Sequence, residues 1–283
     1  MISGKTSIFG IFGHPVEHSF SPGMHNAAFA AIGLDGCYVP FAVHPHDLGN
    51  AVKAIVPLGL CGLNITVPHK EKVLPFLDDL TDDARLIGAV NTIEVRNEKL
   101  IGHNTDGKGF LRSLREETVF RPKGKTFLMV GSGGAARAVC FELALAGAGD
   151  ILLHDIDRDK AEKLGHDIRS ATATRVTVTD AFSLRTLAPD ADCLINATPL
   201  GLKKSDPLPL SRDLMRKGQL VCDLVYNPPD TRLLRTAQLR GAKTLRGIGM
   251  LLYQGVIAFE IWTGKKAPTS VMKKALARQM RDR

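Results

Sequence analysis

The chain has 283 residues, 44% of them apolar and 23% charged, with a formal net charge of +8. That length exceeds one ordinary hydrophobic core, so two domains are expected, and the composition excludes disordered and collagen-like chains. The positive charge is scattered among acids and its densest stretch, Lys273 to Arg283, has helical spacing, so it reads as a solvated helix face, and neither nucleic acid nor membrane is the expected partner.

From the N-terminus, the apolar run Ile8 to Phe12 reads as a buried strand ending at Gly13. Ser21-Pro22 then opens a helix carrying Met24, Ala27, Ala28 and Ala31, with Ser21 as N-cap and proline in the first turn. Strands are expected at Tyr38 to Val43, Gly62 to Thr66, Ala89 to Val95 and Leu100-Ile101, with helical stretches at Leu48 to Ile55, Glu71 to Leu77 and Asp82 to Ile87. This is an α/β domain with a mixed sheet.

After Lys123-Gly124-Lys125 the pattern becomes regular. A buried strand over Thr126 to Val130, a helix over Ala135 to Ala146 and a strand over Ile151 to His154 are followed by short apolar strands at Arg175 to Val178, Cys193 to Ile195, Leu220 to Val225 and Thr244-Leu245. Strands alternating with helices imply βαβ units and a Rossmann-type, doubly wound parallel sheet with its ligand at the carboxyl ends of the strands. Met250 to Trp262 and Pro268 to Arg281 have helical spacing and are expected to return to the first domain. The expected division is therefore 1–108 joined by 250–283, with 109–249 as the dinucleotide-binding domain.

The five cysteines (Cys37, Cys61, Cys140, Cys193, Cys222) are odd in number and lack C-x-x-C spacing, a pattern of reduced thiols. No signal-peptide core opens the chain and no apolar run reaches about 18 residues, so the expected location is the cytoplasm. His14, His18, His25, His69 and His103 gather in the first half, yet no helical histidine pair or Cys/His knuckle accompanies them, and no metal is expected.

Gly131-x-Gly133-x-x-Ala136 follows a predicted strand and opens a predicted helix, the context in which such a glycine pattern binds a dinucleotide. Gly131 permits the turn, Ser132, Gly133 and Gly134 let the backbone approach a pyrophosphate, and Ala135 and Ala136 allow close packing. The helix N-terminus offers free N–H groups to the phosphates. Asp155 stands at the end of the next strand, where a carboxylate accepts the adenosine ribose hydroxyls and repels a 2′-phosphate. Arg158 and Lys160 are the nearest cations, so the residues favour NAD over NADP. Alternatively Asp155 caps the following helix.

Two Gly- and Pro-punctuated turns lie upstream of this loop. Asn64-Ile65-Thr66-Val67-Pro68-His69-Lys70 supplies a lysine and Gly102-His103-Asn104-Thr105-Asp106-Gly107 an aspartate. A basic proton carrier and an acid with a dinucleotide site suggest alcohol-carbonyl redox chemistry.

These motifs together resemble the shikimate dehydrogenase family, including its quinate/shikimate branch. The resemblance runs through Gly13-His14-Pro15, His18-Ser19-Phe20-Ser21-Pro22, His25-Asn26, Asn64 to Lys70, Gly88-Ala89-Val90-Asn91-Thr92 and Asn104-Thr105-Asp106-Gly107. It continues in Gly131 to Ala136, Asn196-Ala197-Thr198-Pro199, Asp223-Leu224-Val225-Tyr226 and Gly247 to Gln254. It implies reversible reduction of 3-dehydroshikimate to shikimate by a reduced nicotinamide, on the route to chorismate and the aromatic amino acids. It also implies a small-molecule substrate handled by a monomer or homodimer.

The resemblance implies that Lys70 and Asp106 are the catalytic pair and that Ser19 and Ser21 bind the substrate carboxylate. Thr66, Asn91, Tyr226 and Gln254 match further substrate contacts, and Thr198, Leu224 and Gly247 match positions near the nicotinamide. A lysine ammonium beside a carbonyl oxygen stabilises the alkoxide that grows as hydride arrives. One departure concerns the cofactor. Where the usual biosynthetic member carries Asn-Arg-Thr, with arginine on the 2′-phosphate of NADP, this chain reads Asp155-Ile156-Asp157. NAD(P) is thus the implied cofactor and NAD the expected preference. The paired Ser19 and Ser21 favour shikimate over quinate. The rivals are a two-domain dehydrogenase acting on another substrate and a non-catalytic dinucleotide sensor or nucleic-acid binder, the latter supported only by the +8 charge.

Overall fold

The computed structural model describes residues 2–281; Met1 and the end of the basic C-terminal stretch, Arg283, lie outside them. The chain forms two compact units, one running to Thr105 and resuming at Leu252, the other spanning Asp106–Leu251.

The first unit is built on a six-stranded sheet. Its strands are β1 (Ser7–Gly13), β2 (Gly36–Ala42), β3 (Leu60–Ile65), β4 (Asp79–Leu80), β5 (Thr92–Arg96) and β6 (Lys99–His103), in the spatial order β2-β1-β3-β5-β6-β4. β1 is parallel to β2 and β3, whereas β3–β5 and β5–β6 are antiparallel, which makes the sheet mixed. Asn97 and Glu98 turn the β5–β6 hairpin with φ of 50° and 61°, the left-handed pair that matches strand twist in a two-residue hairpin.

Side chains alternate across this sheet. Ile8, Phe12 and Phe41 join a core with Leu48, Val52 and Leu63. The other face carries Phe9, stacked on Phe29, and Tyr38, and both pack at a tilt against Trp262. Helix α1 (Ser21–Ala31) supplies Phe29 to that face, and α9 (Gly247–Thr263) and α10 (Thr269–Arg281) complete it. The C-terminal helices do return to this unit. Trp262 donates from its indole to the Ile93 carbonyl at 2.9 Å, and Gln279 donates to the Phe20 carbonyl at 3.1 Å.

Helices α2 (Leu48–Lys53) and α3 (Asp82–Ile87) form as read, but the helix expected over Glu71 to Leu77 does not. Pro75 lacks the N–H that the fifth residue of that helix needs, and only a 3₁₀ turn at Leu74–Phe76 remains. The strand expected from Ala89 begins at Thr92, because Asn91 ends in a turn that its own side chain braces.

The second unit holds six parallel strands: β7 (Thr126–Val130), β8 (Asp150–His154), β9 (Arg175–Val178), β10 (Cys193–Asn196), β11 (Leu220–Asp223) and β12 (Lys243–Arg246). Their order, β12-β11-β10-β7-β8-β9, is that of the doubly wound dinucleotide fold, with the switch point between β7 and β10. Strands buried on both faces read as apolar runs, and Phe127, Leu128, Met129, Cys193, Leu194, Ile195 and Val221 are all inaccessible to solvent. Around them run α4 (Asp106–Glu117), α5 (Gly134–Leu145), α6 (Arg158–Ala171), α7 (Ala181–Leu187) and α8 (Arg232–Leu239). All five cysteines are free; Cys140, Cys193 and Cys222 are buried, and Cys37 and Cys61 are half-buried. No described helix is long and apolar enough to cross a membrane.

Candidate active site

In the first unit the expected substrate residues gather at one end of the sheet. Thr66 follows β3, Ser19 lies between β1 and α1, Ser21 opens α1, and Asn91 immediately precedes β5. Because β5 runs antiparallel to β3, its start lies at the same end as the carboxyl ends of β1 and β3. Gln254 projects from α9 and is buried at 7% exposure, with its Oε1 3.4 Å from Asn91 Nδ2.

Ser21 is not the N-cap that its place before proline suggested. It is the first residue of α1, Phe20 holds the cap position, and the Ser21 N–H donates to Ser19 Oγ at 3.2 Å. Ser19 thus satisfies the first N–H of the helix from two residues earlier, and Ser21 itself is buried.

The turn carrying Lys70 is fixed on both sides. His69 N–H donates to the Thr66 carbonyl at 2.9 Å, and the Lys70 carbonyl accepts from Val90 at 2.8 Å. The buried His69 ring bonds through Nε2 to the Val43 carbonyl at 2.8 Å. Burial lowers the His69 pKa, opposed by that carbonyl and assisted by the charges of Lys72, His14 and His44. The ring is therefore a neutral brace. Lys70 itself is half-buried.

Asn91 anchors the same end. Its Oδ1 accepts from the Thr105 N–H at 2.7 Å, and its Nδ2 donates to Thr105 Oγ1 at 2.9 Å. Sequence reasoning missed the partners beneath it. Asn64 Nδ2 donates to the Asn91 carbonyl and to Thr92 Oγ1 at 3.1 and 3.0 Å, while its Oδ1 accepts from the Tyr38 hydroxyl at 2.7 Å. The signal was present as an asparagine inside the apolar run Leu63-Asn64-Ile65, since a buried amide requires partners.

The second unit assembles the expected cofactor residues at the carboxyl ends of its strands. Gly131 has a φ of 103°, and a side chain there would press on the Ala197 backbone, so the turns after β7 and β10 touch at the switch point. Gly133 caps α5 with no side-chain bond, leaving the first N–H groups of the helix available, and Gly134 and Ala135 form its first turn. Ser132 Oγ is buried without a hydrogen-bond partner among the described residues.

Thr198 is held by Asn196, whose Oδ1 accepts from the Thr198 hydroxyl at 2.7 Å. Asn196 donates to Asp223 Oδ1 at 2.9 Å, and Asp223 also accepts from Val225 N–H at 3.1 Å and from the Thr231 hydroxyl at 2.6 Å. Burial pushes the Asp223 carboxyl up, and those three donors oppose it. Gly247 lies so close that any side chain would run into the Leu224 carbonyl. Thr198, Leu224 and Gly247 are thereby brought to one edge.

Asp155 is half-buried after β8, and its Oδ1 accepts from the Asp157 N–H at 2.9 Å. It does not cap α6. Asp157 does, accepting from Lys160 N–H at 3.3 Å, because it is the residue directly before the helix. Lys160 also pairs with Asp157 at 2.8 Å and Arg158 with Glu162 at 3.4 Å. Both nearby cations face acids.

Asp106, expected in a turn, instead begins α4, is buried at 4% exposure and belongs to the second unit. A carboxylate there is favoured by the helix dipole. Tyr226 is half-buried just after β11. Among the described residues, no three His, Cys, Asp or Glu side chains group as metal ligands. His14 packs on His44, His25 lies in the aromatic core and His103 bonds Glu94.

Residues 11–93 match the model of the shikimate dehydrogenase substrate binding domain, and 247–277 that of the shikimate 5'-dehydrogenase C-terminal domain. A shikimate dehydrogenase (NADP(+)) of Desulforamulus reducens is 50% identical over 99% of this chain and 97% of its own. The chain belongs to the shikimate dehydrogenase family.

Among solved structures, a shikimate dehydrogenase in complex with NADP+ is 42% identical with a TM-score of 0.91, covering 99% of this chain and 98% of its own. The Listeria monocytogenes shikimate 5-dehydrogenase, in complex with shikimate and NAD, is 38% identical with a TM-score of 0.89, covering 97% and 98%. A dinucleotide, the cofactor type of these shikimate dehydrogenases, suits the residues present here. Gly131 allows the turn, the α5 terminus is uncapped, and the orphaned Ser132 hydroxyl lacks the partner that a phosphate oxygen provides.

Proposed function

We propose that this chain is a shikimate dehydrogenase that interconverts 3-dehydroshikimate and shikimate in the aromatic, chorismate-forming pathway. The observation that carries the reading is the braced polar end of the first sheet, where Ser21, Thr66, Asn91 and Gln254 gather. A ring bearing a carboxylate and hydroxyls needs such hydroxyl and amide partners in place of an apolar slot.

Ser19 and Ser21 take the carboxylate, and Thr66, Asn91, Tyr226 and Gln254 take the ring hydroxyls. A bound nicotinamide, held by Gly131 to Ala135, Asp155, Thr198, Leu224 and Gly247, supplies the hydride for reduction and accepts it in oxidation. Lys70 Nζ gives its proton to the carbonyl oxygen as that oxygen becomes an alkoxide, and takes one from the hydroxyl in reverse. Asp106 orients the amine and accepts from a substrate hydroxyl. One hydride and one proton convert the ketone into the alcohol, and solvent restores the ammonium.

NAD is the preferred cofactor in this reading. The Asp155 carboxylate suits a ribose hydroxyl, and Arg158 and Lys160 are engaged by acids. The same reading places the enzyme in the cytoplasm as a monomer or homodimer. Steady-state assays of shikimate and quinate with NAD and NADP test it. Shikimate with NAD should give the highest kcat/KM; a strong NADP preference would remove the argument from Asp155, and absence of shikimate turnover would remove the function.

A further inference from the structure

Two glycines open α9, and each lies against a different neighbour. A side chain at Gly247 would run into the Leu224 and Asp223 carbonyls at the end of β11. A side chain at Gly249 would run into Glu117 Oε1 and Ser113 Oγ on α4. Residues two apart on a helix point about 200° apart, so the two contacts lie on opposite sides of one turn. The tip of α9 is thus wedged between the strand end and α4.

The α4 side of the wedge is built as a stop. Ser113 is 1% exposed, and its hydroxyl donates to Glu117 Oε1 at 2.8 Å, one turn along the same helix. That bond holds the carboxylate beside the start of α9, where negative charge is favoured and where the helix has no acidic residue of its own. α4 is itself fixed from another side, because a side chain at Gly107 would meet the Ala138 carbonyl and Glu142 on α5. Glycine is a poor helix residue beside alanine, so nothing in α9 alone calls for it at position 249. The notch does.

We propose that Ser113 and Glu117 are positioning residues that hold the first turn of α9 against the end of β11 and so set where Gly247 and the Leu224 carbonyl meet the nicotinamide. Both act through Gly249 and not on substrate or cofactor directly. The proposal rests on the shikimate dehydrogenase reading above, which assigns Gly247 and Leu224 to the nicotinamide end.

The test adds one methyl group to the notch and then makes room for it. Gly249→Ala should raise the KM for NAD about tenfold, as overpacking shifts the tip of α9. It should leave the shikimate KM within about threefold, because Ser21, Thr66 and Asn91 belong to the other unit. Ser113→Ala with Glu117→Ala removes both atoms that the methyl meets, and the stop with them, so this pair alone should raise the NAD KM about threefold. Added to Gly249→Ala, the pair should bring the NAD KM back to within about twofold of the parent, since contacting residues couple. A variant that was merely less stable would lose kcat with its folded fraction and keep its KM. An unchanged NAD KM in Gly249→Ala, an equal rise in the shikimate KM, or no recovery in the triple variant overturns the proposal.

Should Gly249→Ala not fold, Ser113→Ala with Glu117→Ala decides alone. Its NAD KM should rise with the shikimate KM unmoved, and an unmoved NAD KM overturns the proposal. Where NADP gives the higher kcat/KM in the parent, the same series is read with NADP. A parent that turns over no shikimate with either dinucleotide overturns the reading beneath the proposal, visible before any variant is made.

Discussion

At single positions, two groups make opposite demands on their surroundings. Lys70 serves the reaction when charge develops on a substrate oxygen, so Lys70→Ala should lower kcat by about 10²-fold or more while changing the shikimate KM far less. Retained turnover in that variant would remove its role. His25 is a structural counterpart. It is fully buried with neither ring nitrogen hydrogen-bonded among the described residues, and burial lowers its pKa from 6.5 to about 3. The unfolded chain takes up this proton near pH 6.5 and the folded chain does not until about 3, so stability falls as pH drops through that window. The slope reaches about 1.4 kcal/mol per pH unit. His25→Phe keeps the stack on Tyr38 and removes the titration, so between pH 7 and 5 it should lose less unfolding free energy in urea than the parent. Parallel losses would contradict the assignment. Asp155→Ser should lower kcat/KM for NAD about tenfold, the value of one charge-assisted hydrogen bond, and leave that for NADP equal or higher.

Elements were legible where one physical rule governed them. The second unit's strands alternate with helices and are buried on both faces, so apolar runs such as Phe127 to Val130 located them within a residue or two. Where local signals competed, the sequence misled. Pro75 broke an otherwise helical spacing, and the helix starts at Ser21 with Phe20 in the cap position, the Ser21 N–H being taken by Ser19 Oγ. Asp106 read as a loop residue because Gly107 and Gly109 follow it, yet it begins a twelve-residue helix whose Phe110 and Leu114 are buried at helical spacing. The Tyr38–Asn64 bond joins residues 26 apart in sequence, and only the register of neighbouring strands shows it. The β5–β6 hairpin invites a direct test. Glu98 is exposed at a φ of 61°, which costs a side-chain-bearing residue about 1 kcal/mol or more. Glu98→Gly should therefore raise unfolding free energy by up to about 1 kcal/mol without altering kinetics. A destabilised variant would mean the side chain contributes more than the backbone loses.

For the molecule as a whole, ligand binding and stability are linked through mass action. Anything that binds only the folded chain stabilises it, by about 2.7 kcal/mol at a hundred times its Kd. NAD should therefore raise Tm more than NADP at equal concentration, and the reverse order would contradict the reading of Asp155. The division into two units also has a consequence for how the protein is made. The second unit is spliced into the first, which resumes only at Leu252. A ribosome releases all of Asp106–Leu251 before it releases Trp262 or Gln279, whose bonds to Ile93 and Phe20 tie the tail to the opening half. During synthesis the nucleotide half can mature while the earlier-made half waits, its aromatic face bare, for the last thirty or so residues to arrive. A premature stop just past Leu251 would leave a finished guest inside an unfinished host.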